Sequence, residues 1–360
     1  MRISKKKVER WKRGRLGEIQ LELTKFKMEE KQRKTYKQEW SAYNLAQTNE
    51  FRMFQDMLIE LIDSTIDLKQ KYKKNGRPFY NLKDMIFCCV MKVYFGKSSR
   101  RNVGYLQIAK GNDYIKKVPH FNTLLNYYRN PLLTSLLKHL VEQSAIPLRD
   151  AEMDFATDSS GFSTCIFSRW FNARIGKDSE RRMFRKCHIC SGVKTNIITA
   201  INISEGYSHD SPYFKGLINT TSRNFQVREV SADAGYLSRD NYNAVHEIGA
   251  IPYIMFRSNC SIRAKGSLIY KRMFELFEKH NKIFLEHYHK RSNVESVFHM
   301  IKRKFGLFLF SKSDIGQTNE ILCKCLAHNI CVLIQEIFET NVIFDSDSMT
   351  RKIVRGYYAD

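Results

Sequence analysis

Negative charge is what this sequence is short of. Its 37 Asp and Glu face 60 Lys and Arg, which leaves a formal net charge of +23 and a pI near 9.6. A surplus of that size implies a polyanionic partner, nucleic acid first and a membrane surface second. Long apolar runs are also missing. The most apolar stretch, 85–95, covers 11 residues and contains Lys92, short of the roughly 20 that a spanning helix needs. The first residues, MRISKKKVERWKRG, are basic and lack the apolar segment of a secretory signal. The expectation is an intracellular protein with no membrane segment. A disulfide framework is absent too. The cysteines number nine and sit mostly inside apolar runs, as Cys88, Cys89, Cys165, Cys260, Cys323, Cys325 and Cys331 do, which suits reduced, buried thiols. One CxxC occurs, Cys187 and Cys190 in RKCHIC with His188 between them. A zinc site needs about four ligands, and no second pair stands at a usual spacing, so the stretch reads as a strand with small buried side chains.

What is present is ample apolar material, 43% hydrophobic and 12% aromatic over 360 residues, enough for one large domain or two ordinary ones. Residues 1–40 carry 14 Lys and Arg against 6 Asp and Glu. This reads as a basic, partly ordered arm over 1–50, gripping phosphates or simply solvated. From Phe51 apolar residues recur at three- and four-residue steps, which predicts a helical region over 51–148. Ser98 or Ser99 can cap one of its helices, and Asn122 or Thr123 another carrying Tyr127, Tyr128 and Arg129. Short helices with exposed Arg and Tyr are compatible with a helix-turn-helix-like DNA module, and equally with a plain supporting bundle.

Near residue 150 the pattern turns to strands. Segments 153–159, 165–175, 187–193 with 195–203, 226–232 and 251–256 read as strands. Segments 212–219, 237–248, 268–305 with a break near His280, and 314–340 read as helices. The order implies an α/β fold, a mixed sheet covered by helices over 149–340, with an irregular tail at 341–360. Two strands end in Asp followed by turn chemistry, Asp158 in ATDSSGF and Asp233 in SADAGYLSRD. Each alone is also an ordinary turn residue. The stretch 288–302, YHKRSNVESVFHMIK, has no Gly or Pro and reads as helix. At about 100° per residue, Tyr288, Arg291, Glu295 and Lys302 share an arc of roughly 60°, beside an apolar stripe of Val294, Val297, Phe298 and Ile301. By itself that is also a solvated amphipathic face. With two strand-end Asp upstream, Glu295 completes a set of carboxylates able to hold Mg²⁺, which prefers oxygen ligands. Two such ions can activate an attacking oxygen and stabilise a leaving one at a phosphodiester. Arg257, Arg263 and Lys265 line a basic loop that either tracks a DNA backbone or is solvated. His299 falls near the same arc, either toward DNA or on the helix surface. Asp210, before a helix, reads as a cap.

These residues resemble the insertion-sequence DDE transposases, in the group with a Tyr-Arg-Glu-Lys signature. The first Asp of that family often begins Asp-Ser-Ser, as Asp158-Ser159-Ser160 does. The second often begins Asp-x-Gly-Tyr, as Asp233-Ala234-Gly235-Tyr236 does. The Glu lies in Tyr, two residues, Arg, three residues, Glu, six residues, Lys, and Tyr288, Arg291, Glu295 and Lys302 match each position. The likeness covers about 75–335. It implies a ribonuclease-H-like sheet flanked by helices behind an N-terminal all-helical region. It further implies Asp158, Asp233 and Glu295 as catalytic ligands of two Mg²⁺ ions, with Mn²⁺ able to substitute. Tyr288, Arg291 and Lys302 would contact DNA near the cleaved end. The partners would be terminal inverted repeats and target DNA, held by a homodimer, with no membrane, in a prokaryotic cytoplasm and on the nucleoid when DNA-bound. The alternatives within the same chemistry are a structure-selective nuclease and an inactive DNA-binding derivative. The 62 residues from Asp233 to Glu295 leave no room for the β-rich insertion that some relatives carry there.

Overall fold

The computed structural model describes residues 39–66, 80–164, 184–261 and 266–340. From Ala42 onward they belong to one unit. Helix α1 (Trp40–Thr65) starts before Phe51, where the apolar periodicity begins. In α2 (Leu82–Phe95) the Asn81 side chain accepts the Lys83 N–H at the start, and Gly96 in the left-handed region, φ 61°, ends the helix. Ser98 caps α3 (Ser99–Gly111). His120, not Asn122 or Thr123, caps α4 (Phe121–Tyr128), its Nδ1 accepting the Asn122 N–H. Asn130 caps α5 (Pro131–Ala145). Tyr128 is not an exposed aromatic. It is buried, and its hydroxyl donates to the Cys89 carbonyl. Tyr105 is stacked on Phe95 at 3.9 Å. Both rings are therefore held by packing within the helices.

The sheet is β1 (Asp154–Ser163), β2 (Phe184–Gly192), β3 (Ile198–Glu205), β4 (Glu229–Ala232) and β5 (Ile251–Ile254), in the order β3-β2-β1-β4-β5. The β1–β2 and β2–β3 pairs are antiparallel, and β1–β4 and β4–β5 are parallel. Helices α6 (Ser211–Asn224) and α7 (Arg239–Glu247) connect β3 to β4 and β4 to β5. This is the expected α/β mixed sheet behind an all-helical region, consistent with a ribonuclease-H-like fold. The expected strand at 165–175 lies outside the described residues. After β5 come α8 (Leu268–Lys279), α9 (Asn281–Tyr288), a 3₁₀ turn at His289–Arg291, α10 (Ser292–Phe305) and α11 (Asp314–Thr340). The break at His280 is where the sequence suggested it.

Side chains of β2 alternate between two covered faces, which explains why every residue from Cys187 to Gly192 is buried. Cys187 meets Cys325 on α11. His188 is stacked on Tyr213 of α6 at 4.3 Å, and Cys190 meets Thr221 of the same helix. The CxxC is thus split by its neighbours' packing, and among the described residues no three His, Cys, Asp or Glu stand close enough to hold a metal as placed.

Helix α11 corrects the reading that no apolar run approaches the length of a spanning helix. It is long and apolar enough to cross a bilayer by length and composition, but 83% of that apolar window is buried inside the protein. Its polar residues explain why it suits a protein interior. Asn319 donates to the Tyr128 and Asn130 carbonyls at 2.9 and 3.3 Å. Glu320 accepts the Phe310 and Ser311 N–H groups at 3.0 and 2.9 Å. Lys324 donates to the Gly306 and Phe308 carbonyls at 2.6 and 2.9 Å. Asn329 accepts the Ile198 N–H at 2.9 Å and donates to the Ile198 carbonyl at 2.8 Å. Each satisfies backbone groups that the helix itself removes from water.

Replacing Asn329 with Ala leaves the N–H and C=O of Ile198 buried without these partners. The variant should lose about 3 kcal/mol of stability, read as a lower midpoint in urea unfolding with an unchanged slope.

Candidate active site

Two paired strands bring the Asp residues together. The parallel ladder between β1 and β4 ends at the pair Thr157–Ala232. Asp158 and Asp233 are the next residue on each chain, at the carboxyl end of a parallel pair, where α/β sheets gather ligands. One expectation is corrected here. Asp158 does not end its strand, and Ser160-Gly161 is not a turn. The antiparallel ladder to β2 continues to Ser163, with Gly161 opposite Lys186. What stops at residue 157 is only the parallel neighbour. Beyond Ala232 the other chain turns at once. Asp233 Oδ1 accepts the Gly235 N–H at 2.9 Å, and a 3₁₀ turn, Ala234–Tyr236, follows. The approach at Gly235 is close, since a Cβ there would stand 3.0 Å from Asp233 Oδ1.

The stretch 288–302 is not one continuous α-helix. It contains the end of α9, the 3₁₀ turn at His289–Arg291 and α10. The cause is that successive residues of the turn are drawn in different directions along the sheet. Lys290 reaches the strand starts, pairing with Asp154 at 2.8 Å and Glu229 at 2.6 Å. Arg291 reaches the strand ends. Its Nη1 donates to Asp158 Oδ2 at 2.8 Å and its Nη2 to Glu295 Oε1. Apolar Val294, Val297, Phe298 and Ile301 are buried, as the stripe predicted, and hold α10 on the core.

Asp158, Arg291 and Glu295 are thus in direct contact, and Lys302 flanks them, its Nζ donating to Ser160 Oγ at 2.6 Å and lying 5.4 Å from the Phe162 ring. Burial pulls the Lys302 ammonium below its ordinary value. The Glu295 side chain is 57% exposed and that of Asp158 only 16%, so the site opens on the Glu295 side. Tyr288 is half-buried, its ring 6.4 Å from Phe284, and its phenol is near enough to Arg291 to act on that charge. Arg257 is exposed, and its guanidinium donates to the Ala234 carbonyl at 3.1 and 2.9 Å, clasping the Asp233 turn. Arg263 and Lys265 lie outside the described residues. His299 is exposed.

Asp210 is no helix cap. It makes no capping hydrogen bond, because its carboxylate is drawn to Lys186 at 2.7 Å and His188 at 3.2 Å. Sequence reasoning missed this group and the Lys290 pairs, since both depend on strand register. The only trace in the sequence was a His in the middle of an apolar strand.

Asp158 carries the electrostatic signature of the site. Burial pushes its carboxyl up to about 6, against the Ser159 N–H and Arg291, and the neighbouring Asp233 and Glu295 charges push the same way. The three carboxylates, whose repulsion is felt at Asp158, are of the oxygen chemistry that a hard divalent cation takes, but as placed they do not stand close enough together to hold one. As placed, Arg291 holds two of the three.

A carboxyl raised in the folded state favours folding while protonated. That advantage is complete below the unfolded value of 3.8 and gone above about 6. Relative to Asp158→Asn, the wild type should therefore lose roughly 2–3 kcal/mol as pH rises through that window. Urea unfolding of the pair at pH 4 and pH 7 measures it.

Residues 151–330, half of the chain and the span of all three carboxylates, match the family model described as the transposase DDE domain. Neither the curated proteins nor the solved structures returned a match. The chain belongs to the transposase DDE domain family.

Proposed function

We propose that this transposase cuts the phosphodiester bonds at the ends of its element and joins those ends to target DNA, with Asp158, Asp233 and Glu295 as its catalytic carboxylates. The observation that supports this most is the contact of Arg291 with both Asp158 and Glu295, beside an Asp158 that feels the charge of Asp233. The three would hold Mg²⁺, as two ions, with Mn²⁺ as a substitute. When bound, these ions supply Lewis-acid activation of the attacking oxygen and charge stabilisation of the leaving one.

The chain's own residues have distinct parts. Asp158 and Asp233, fixed at the end of one parallel pair, provide the rigid side of the site. Glu295, on the exposed side, closes it. The Arg291 guanidinium can fork onto a backbone phosphate, and the Lys302 ammonium can act as a point charge beside Ser160. Tyr288 and Arg257 border this surface, and Arg263 and Lys265 are further candidates from the sequence for contact with the DNA backbone. A net charge of +23 draws DNA to the surface without regard to sequence. The DNA would be the terminal inverted repeats and a target duplex. Two ends must be held together for joining, which calls for a homodimer in the DNA complex. The expected setting is a prokaryotic cytoplasm.

The test uses the full chain and DNA carrying the inverted repeats that flank its coding region. With Mg²⁺ the wild type should nick and join these ends. Glu295→Ala should retain end binding and lose at least about a hundredfold in cleavage rate. Wild-type cleavage by Glu295→Ala would refute the assignment. Cleaved but unjoined product from pre-cut ends would reduce the activity to that of a nuclease.

A further inference from the structure

Asp210 stands beside both the strand that carries Asp158 and the turn that carries Asp233. Successive side chains of β1 leave on opposite faces of the sheet. Asp158 goes to the side of α10, where Arg291 meets it. Ser159 is paired with His188 and goes to the side of α6, where its side chain meets Asp210. Asp210 also reaches the turn after Asp233. Its Oδ2 would stand 3.5 Å from a Cβ on Gly235, a point that Asp233 Oδ1 approaches to 3.0 Å. The Tyr236 ring is fully buried at the same place, its phenol among Asp210, Asp158 and Asp233.

Asp210 is itself held firmly. Lys186 Nζ lies 2.7 Å and His188 Nδ1 3.2 Å from its Oδ1. His188 is buried, its Nε2 is 2.8 Å from Ser204 Oγ, and its ring is stacked on Tyr213. A carboxylate gripped on one oxygen by two cationic or polar neighbours is a fixed point. Such a point matters here because the β1–β4 ladder stops at Thr157–Ala232. Past it no ladder hydrogen bond between these two strands sets the distance between Asp158 and Asp233.

We propose that Asp210 is a positioning residue that sets the separation of Asp158 and Asp233, tethering Ser159 from behind the sheet and backing the Asp233–Gly235 turn. This rests on the reading that Asp158 and Asp233 act together at one phosphodiester. Reacting geometry tolerates little displacement, so a shift at either Asp costs rate without touching the DNA surface.

The experiment compares wild type, Asp210→Asn, Asp210→Glu, Ser159→Ala and Asp158→Asn in single-turnover cleavage of end DNA, with end-DNA affinity and melting temperature measured on each. Asp158→Asn should abolish cleavage. Asp210→Asn should cut at least about tenfold more slowly with affinity within about twofold of wild type. Asp210→Glu should recover part of the rate. Ser159→Ala removes the tether without burying a charge, and should also slow cleavage at unchanged affinity. Wild-type rates in Asp210→Asn and Ser159→Ala, beside an inactive Asp158→Asn, would overturn the positioning role alone. So would a rate that falls only in step with melting temperature while Ser159→Ala stays normal. A wild type that cuts no end would overturn the parent reading and this one with it.

Discussion

Burial of one long helix governs this structure. Helix α11 is apolar around most of its surface and lies within the protein. A helix so enclosed removes water from every loop it crosses, and each backbone group there needs a new partner. The helix supplies them from its own side chains. Glu320 and Lys324 hold the segment 306–311 on both its N–H and C=O groups, while Asn319 holds the chain between α4 and α5 and Asn329 holds the start of β3. The segment 306–311 directly follows α10, and its Leu307 and Leu309 bond to Ser163 at the end of β1. The grip of α11 is therefore passed to both elements that carry the site, the strand with Asp158 and the helix with Glu295.

The site itself depends on a mismatch between two ladders. On one side β1 continues beside β2 as far as Ser163, while on the other its pairing with β4 stops at Thr157. Asp158 therefore sits on a rigid strand yet borders an open space, where Asp233 turns away. A carboxyl in that position is deprived of water, and its charge must be met by others. Arg291 meets part of it. The rise of the Asp158 carboxyl to about 6 shows that burial and the two nearby carboxylates outweigh the help it receives. A bound cation would reverse that balance, which is the physical link between this electrostatic state and the chemistry of the family.

The same geometry separates groups that anchor the fold from those at the candidate site. Lys290, Glu229, Asp154 and Arg228 form an ion-pair network at the strand starts, far along β1 from Asp158. It anchors the 3₁₀ turn from which Arg291 projects. Lys186 and His188 play the corresponding part on the α6 side. Neither group is spaced in the sequence in a way that announces it.

Much was nonetheless legible before folding. Carboxylates, Gly and basic residues at set spacings are local properties of the chain, so Asp158, Asp233, Glu295, Arg291 and Lys302 stood out, as did the alternation of strands and helices and the apolar stripe that seats α10. Helix ends with Asn, Ser or Gly signals, such as Ser98 and Gly96, could also be read directly, because capping involves only neighbours. What the sequence alone determined is this chemistry and its order along the chain. Only the tertiary structure decided that β1 runs past Asp158, that Asp210 leaves its helix end for Lys186 and His188, that Tyr128 is core, and that α11 is an interior helix. Each of these turns on strand register or on which surfaces meet. Those are contacts between residues far apart in sequence, and no local pattern encodes them.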